Sequence, residues 1–134
     1  MSDYLQKLEN YKKALNRLID GIKRFDENDD LLRDGLIQRF EFTFELAWKT
    51  LKSVFAEEGL TGLNSPKTVL REALIAELIN DEELWLDMLK DRNSTAHIYS
   101  EQIAIKICNK IKSKYVNELQ GLAEKIEKRI SHYR

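Results

Sequence analysis

The eight residues Arg92-Asn93-Ser94-Thr95-Ala96-His97-Ile98-Tyr99 gather a permanent cation, an amide, an imidazole and a phenol. These types suit phosphodiester chemistry. A guanidinium can clamp a phosphate through two parallel N–H groups and follow the charge that builds in a five-coordinate transition state. Imidazole, with an ordinary pKa of about 6.5, can take a proton from a hydroxyl at neutral pH or return one to a leaving oxygen. RNA brings its own nucleophile, the 2′-hydroxyl, so such a site needs no metal. A continuous helix would set Arg92 and His97 about 140° apart around its axis. A break at Asn93 to Thr95, where side chains can bond their own backbone, would let the two converge. One His cannot easily be base and acid at once, and a two-fold dimer would supply the second. An Arg and a His near a helix end also serve as carbonyl caps, and Tyr99 as a core or interface aromatic. Residue types alone leave packing and catalysis both open.

Other chemistries lack residues to carry them. The chain has no Gly-rich phosphate loop, no Cys or His pair at metal-ligand spacing and no Ser on a glycine elbow. No Gly-Ser loop precedes an Asp-x-Asp pair, so metal-dependent nucleotidyl transfer by this chain alone is not expected. His97 and His132 are the only histidines, and neither a metal site nor a cofactor is expected. A single Cys108 excludes an intramolecular disulfide and fits a reducing cytosol. No apolar run nears the ~18 residues of a membrane span, and Met1 to Lys13 is too polar for a signal peptide. The expected location is the cytoplasm, without membrane contact.

A chain of 134 residues, 43% hydrophobic and 34% charged, suits one domain over residues 1–134. Five Gly and one Pro among many Leu, Lys, Glu and Ile make a helical composition. The 22 basic and 23 acidic side chains nearly cancel but are unevenly placed. Residues 28–99 carry 8 basic and 14 acidic groups, whereas residues 100–134 carry 8 and 4. That imbalance favours a docking surface or a patch facing a polyanion. Lys106, Lys110 and Lys114 recur every four residues, with Lys112 between them and no acidic residue from 102 to 117. Such a strip could track an RNA backbone, or could simply be a solvated helix face.

The elements that must position these groups follow from apolar spacing. Tyr4, Leu8, Tyr11, Leu15, Leu18, Ile22 and Phe25 step by fours and threes along one helical stripe. Residues 26–30 form a polar connection. A second helix, from about Leu31 to Glu58, carries Ile37, Phe40, Phe44, Trp48, Leu51 and Phe55, flanked by Leu36, Leu46, Ala47 and Val54. So wide an apolar arc belongs at the centre of a bundle. Its polar stripe of Glu41, Glu45, Lys49 and Lys52 includes a favourable Glu45–Lys49 pair and could form a cleft wall. Gly59 and Gly62 end that helix, and Ser65-Pro66 caps a short third one with Val69, Leu70, Ala73, Leu74 and Leu78 inward. Asn80-Asp81 caps a fourth, with Leu84, Trp85, Met88 and Leu89 as its buried face. The last helix runs from near Ser100 to the C-terminus on a stripe of Ile103, Ile107, Ile111, Tyr115, Leu119, Leu122, Ile126 and Ile130. The expected fold is all-α: an up-and-down antiparallel bundle of about five helices, three long and two short. Helix two and a second stripe of Ala104, Cys108 and Ile111 carry more apolar surface than such a bundle needs, which points to a dimer built on a helix face.

The spacing Arg92-x4-His97-x-Tyr99 matches the R-x4-H-x-Y signature of the HEPN superfamily. The bundle resembles its HepT-like branch, the small helical partners of minimal nucleotidyltransferases. The stretch from Arg39 to Lys49, RFEFTFELAWK, is similar to that branch's second helix, and the order of segments agrees. The resemblance implies a metal-independent ribonuclease whose two subunits line one cleft with their Arg and His motifs. It also implies a toxin restrained by a nucleotidyltransferase antitoxin that can transfer AMP to the motif tyrosine. Carried onto this sequence, Arg92 would bind and stabilise the scissile phosphate and His97 would be the acid/base group. Asn93 would be the polar companion of the Arg, and Tyr99 the AMP acceptor. The branch has also been described as the substrate-binding subunit of a two-component nucleotidyltransferase. That alternative implies nucleotide binding without catalysis.

Overall fold

Capping residues start the helices where the sequence places them. In the computed structural model, which describes residues 3–94 and 100–133, α1 spans Asp3–Arg24 and α2 spans Asp30–Glu57. Asp29 opens α2 by accepting from the Leu31 and Leu32 amides. Ser65 and Thr68 form a reciprocal capping box for α3, Pro66–Ile75. Asp81 accepts from the Leu84 amide at 3.1 Å and starts α4, Glu82–Ser94. Ser100 accepts from the Ile103 amide and starts α5, Glu101–Lys110. A π-helical turn, Ile111–Tyr115, joins α5 to α6, Val116–Ile130, as one rod. Gly59, with φ of 95° in the left-handed region, ends α2 cheaply, and Gly62, with φ of 86°, turns the loop that follows. Among the described residues there is no strand, and the fold is the expected all-α bundle.

The central position of α2 follows from its wide apolar arc. It packs against every other helix. Phe40, Phe44, Ala47, Leu51 and Val54 are fully buried along it. Phe40 stacks on Tyr115 with ring centroids 5.3 Å apart, and Phe44 meets Trp85 at 6.3 Å. Tyr11 on α1 resolves its buried phenol by donating to the Leu119 carbonyl at 2.6 Å. At the far end, Arg129 donates twice to Glu58, at 2.7 and 2.8 Å, and Tyr133 once at 2.5 Å. The Arg129 guanidinium holds the Glu58 carboxyl below its ordinary range. This clamp ties the end of α6 to the end of α2.

Four expectations are corrected. The last helix is not regular, because its middle is the π turn. Ile103, assigned to the buried stripe, is 51% exposed, and its neighbour Ala104 is buried instead. The second stripe of Ala104, Cys108 and Ile111 lies inside the chain's own core, so it offers no surplus for a partner. Leu84 and Leu89 are only half-buried beside Trp85 and Met88. In addition, α3 ends at Ile75, and Glu77 in the left-handed region (φ 61°) turns the chain so that Leu78 still reaches the core.

Cys108 is fully buried, and its thiol faces the Arg33 carbonyl at 3.6 Å. Burial pushes its pKa up to about 11, so almost no thiolate exists near neutrality. A thiol reagent at pH 8 should therefore label Cys108 only after denaturant is added. Rapid stoichiometric labelling of the folded protein would contradict this packing.

Candidate functional site

The last turn of α4 is held from two sides. Arg92 turns toward α2, where its Nη2 lies 2.9 Å from Glu45 Oε1. The same oxygen accepts the indole N–H of Trp48 at 3.2 Å, and Lys49 Nζ lies 3.5 Å from Oε2. The predicted Glu45–Lys49 pair thus forms, and the carboxylate also anchors the motif arginine. About a third of the Arg92 side chain (34%) is exposed. Glu45 thus sets the orientation of a guanidinium whose Nε is buried.

Asp91, one residue earlier, turns inward and is buried. Its Oδ2 accepts the Tyr115 phenol, and Lys110 Nζ lies 3.2 Å from it. Burial first, and then the Asp91 carboxylate, drive the Tyr115 phenol far above its ordinary range, so it remains a donor. Ser94 donates to the Asp91 carbonyl at 3.0 Å and satisfies part of the helix end. The π turn brings Tyr115 to this contact, with the Val116 amide donating five residues back to Ile111. Beyond the motif, the buried Arg33 of α2 donates to the Glu27 carbonyl at 2.6 Å and to Glu101 Oε1 at 2.9 Å. The described chain on either side of residues 95–99, at Arg92 and at Glu101, is therefore fastened to the central helix.

The predicted site residues separate into groups. Asn93 is exposed and faces a groove with Lys67, Lys90 and Ser94, not the Glu45 side occupied by Arg92. Lys106 and Lys114 are exposed. Lys110 is engaged with Asp91, so the lysine strip is interrupted at its middle. His97 and Tyr99 lie outside the described residues. Sequence reasoning missed Glu45 and Asp91 as the two anchors. Their signal was a carboxylate between Phe44 and Leu46 in an apolar arc, and another directly before the motif arginine. Among the described residues no cluster of His, Cys, Asp and Glu could hold a metal ion. No described helix is long and apolar enough to cross a membrane. What the described geometry offers is a partly exposed arginine at a helix end, oriented by Glu45 and suited to an anionic group.

Comparison with known proteins adds four similarities. A family model described as nucleotidyltransferase substrate binding protein like matches residues 6–128. The probable ribonuclease HepT of Haemophilus influenzae is 31% identical over 113 residues, covering 78% of this chain and 77% of that protein. Among solved structures, a Haemophilus influenzae protein described as having the fold of a substrate-binding domain of a nucleotidyltransferase aligns with TM-score 0.77 and 27% identity. It covers 90% of this chain and 98% of its own. A chain of the toxin–antitoxin MntA–HepT aligns with TM-score 0.78 over 92% of this chain and 98% of its own. At 16% identity it shares the fold alone.

Proposed function

Because this chain belongs to the family of nucleotidyltransferase substrate-binding-like proteins and is HepT-like over most of its length, we propose that it is a metal-independent endoribonuclease of the HepT toxin type. The observation that carries the reading is Arg92, fixed by Glu45 at 2.9 Å with its side chain partly exposed, five residues before His97. In this mechanism Arg92 binds the scissile phosphate and offsets the charge of its transition state. The His97 imidazole takes the proton from a ribose 2′-hydroxyl, whose oxygen attacks the adjacent phosphorus. The P–O5′ bond breaks, a 2′,3′-cyclic phosphate forms, and a second imidazole returns a proton to the departing 5′-oxygen. That second imidazole is the His97 of a two-fold partner. Leu31 and Phe42, 76% and 60% exposed, support a homodimer. Eleven residues apart on α2, they share one face of the helix. The exposed Lys106 and Lys114 follow the RNA backbone. The domain spans residues 1–134 and acts in the cytoplasm, where Cys108 stays a thiol.

The partner is a nucleotidyltransferase antitoxin that moves AMP from ATP onto the Tyr99 oxygen and releases pyrophosphate. An adenylylated phenol two residues from His97 would block the phosphate site. The test is purified protein with single-stranded RNA and EDTA, with and without the partner and ATP. Cleavage products ending in cyclic phosphate, lost when Tyr99 is adenylylated, are expected. Intact RNA under all these conditions overturns the nuclease. The family description and the Haemophilus influenzae domain favour a second reading, a non-catalytic nucleotide-binding subunit. It predicts nucleotide affinity with no cleavage.

A further inference from the structure

We infer that the groove between the start of α1 and the second half of α2 receives a nucleobase with its attached phosphate, beside Arg92. The groove has a volume of about 510 Å³ and is lined by Tyr4, Lys7, Trp48, Lys49, Lys52 and Ser53. That volume falls within the ~300–1,000 Å³ of small-molecule sites. Its two aromatic rings are half-buried and held in place. Tyr4 rests edge-on against Tyr133, with centroids 5.5 Å apart, and the Trp48 indole is fixed by its N–H bond to Glu45. Rings presented this way are stacking surfaces for any base.

The amines supply the phosphate side. Lys49 Nζ lies 6.0 Å from the indole centroid and is half-exposed. Lys52 is exposed and, among the described residues, has no carboxylate in ion-pairing reach. The acidic lining is partly spent: Asp3 accepts from Ser53 at 2.6 Å and from Lys7 at 3.2 Å. Glu57 completes the rim. The indole N–H of Trp48 donates to the same Glu45 oxygen, Oε1, that the Arg92 guanidinium ion-pairs with at 2.9 Å. Arg92 and Glu45 lie outside the groove's lining, and their ion pair sets the guanidinium next to the indole edge that bounds it. A strand with a phosphate at Arg92 can lay its neighbouring base on Trp48. The inference rests on the nuclease reading for what occupies Arg92, and not for the groove's own affinity.

Indole emission tests it, because the other tryptophan, Trp85, is only 1% exposed and out of reach of a ligand in solution. The full chain is titrated with a 2′-deoxy octanucleotide, which cannot be cut through a 2′-hydroxyl, and with AMP. Saturable quenching is expected, weakened about tenfold by Lys52→Glu; Trp48→Phe, which removes the reporter, should weaken binding of a dye-labelled copy of the oligomer about fivefold by anisotropy. Quenching by AMP as well as the oligomer shows that a free nucleotide fills the groove. Quenching by the oligomer alone shows that a strand does. Either outcome upholds the inference. No quenching by either ligand, or unchanged affinity in both variants, overturns it. RNA cleavage followed in parallel separates the two readings. A chain that cuts RNA without quenching loses only the groove, and one that quenches without cutting loses only the nuclease.

Discussion

Replacing His97 with alanine should slow RNA cleavage in EDTA by about 10²–10⁴-fold, the usual loss when a general acid/base group is removed. Arg92→Ala should cost about 10²–10³-fold, as for other lost transition-state donors. Arg92→Lys should not restore the rate, because an ammonium cannot reproduce the planar two-point contact with a phosphate. If His97 serves in both protomers, mixing wild type with His97→Ala should give heterodimers that also cut poorly. Circular dichroism should stay unchanged for His97→Ala. A rate untouched by either alanine substitution would remove this motif from the chemistry and leave the binding role.

Asp91→Ala should be the most damaging single change to stability outside the apolar core. Asp91 is buried, and its Oδ2 takes both the Tyr115 phenol and the Lys110 amine. Without it the phenol stays buried and unsatisfied, while the half-exposed Lys110 can swing to water. Leaving such a donor and breaking the ion pair should together cost about 3 kcal/mol. For a chain of this size that is a thermal midpoint lower by roughly 10 °C. Tyr115→Phe removes one partner only and should cost less. Both variants should also lower RNA cleavage, since they free one of the two restraints on the turn that carries Arg92. Calorimetry showing Asp91→Ala as stable as wild type would mean that this contact contributes nothing net.

The helices were readable because their signals are local. Ser65-Pro66 and Asp81 are cap residues at fixed offsets from periodic apolar runs, and both caps form as expected, while Asp29 and Ser100 cap helices whose starts were read from the apolar runs alone. The site was less readable, because its contacts are not local. Glu45 and Arg92 are 47 positions apart, and Asp91 and Tyr115 are 24 apart. No periodicity reports such pairings. The π turn did leave a trace. Ile107, Ile111, Tyr115 and Leu119 advance by fours, and each such step outruns a 3.6-residue turn by about 40°. A wider turn absorbs that drift. The same arithmetic shows why Ile103 fell outside the core: it begins the run one step of drift too early. The roles of His97 and Tyr99 were legible only through the motif and remain proposals.

A π turn in a long rod is what a helix becomes when one amino acid is inserted without disturbing either half. By that account, excising a single residue between 111 and 115 would let the hydrogen-bond ladder close again as ordinary α-helix. The phenol would then swing off the aspartate, and the guanidinium would sit at the end of a loosened lever. The irregularity thus has a mechanical job, since it seats the phenol on the aspartate that steadies the end of α4.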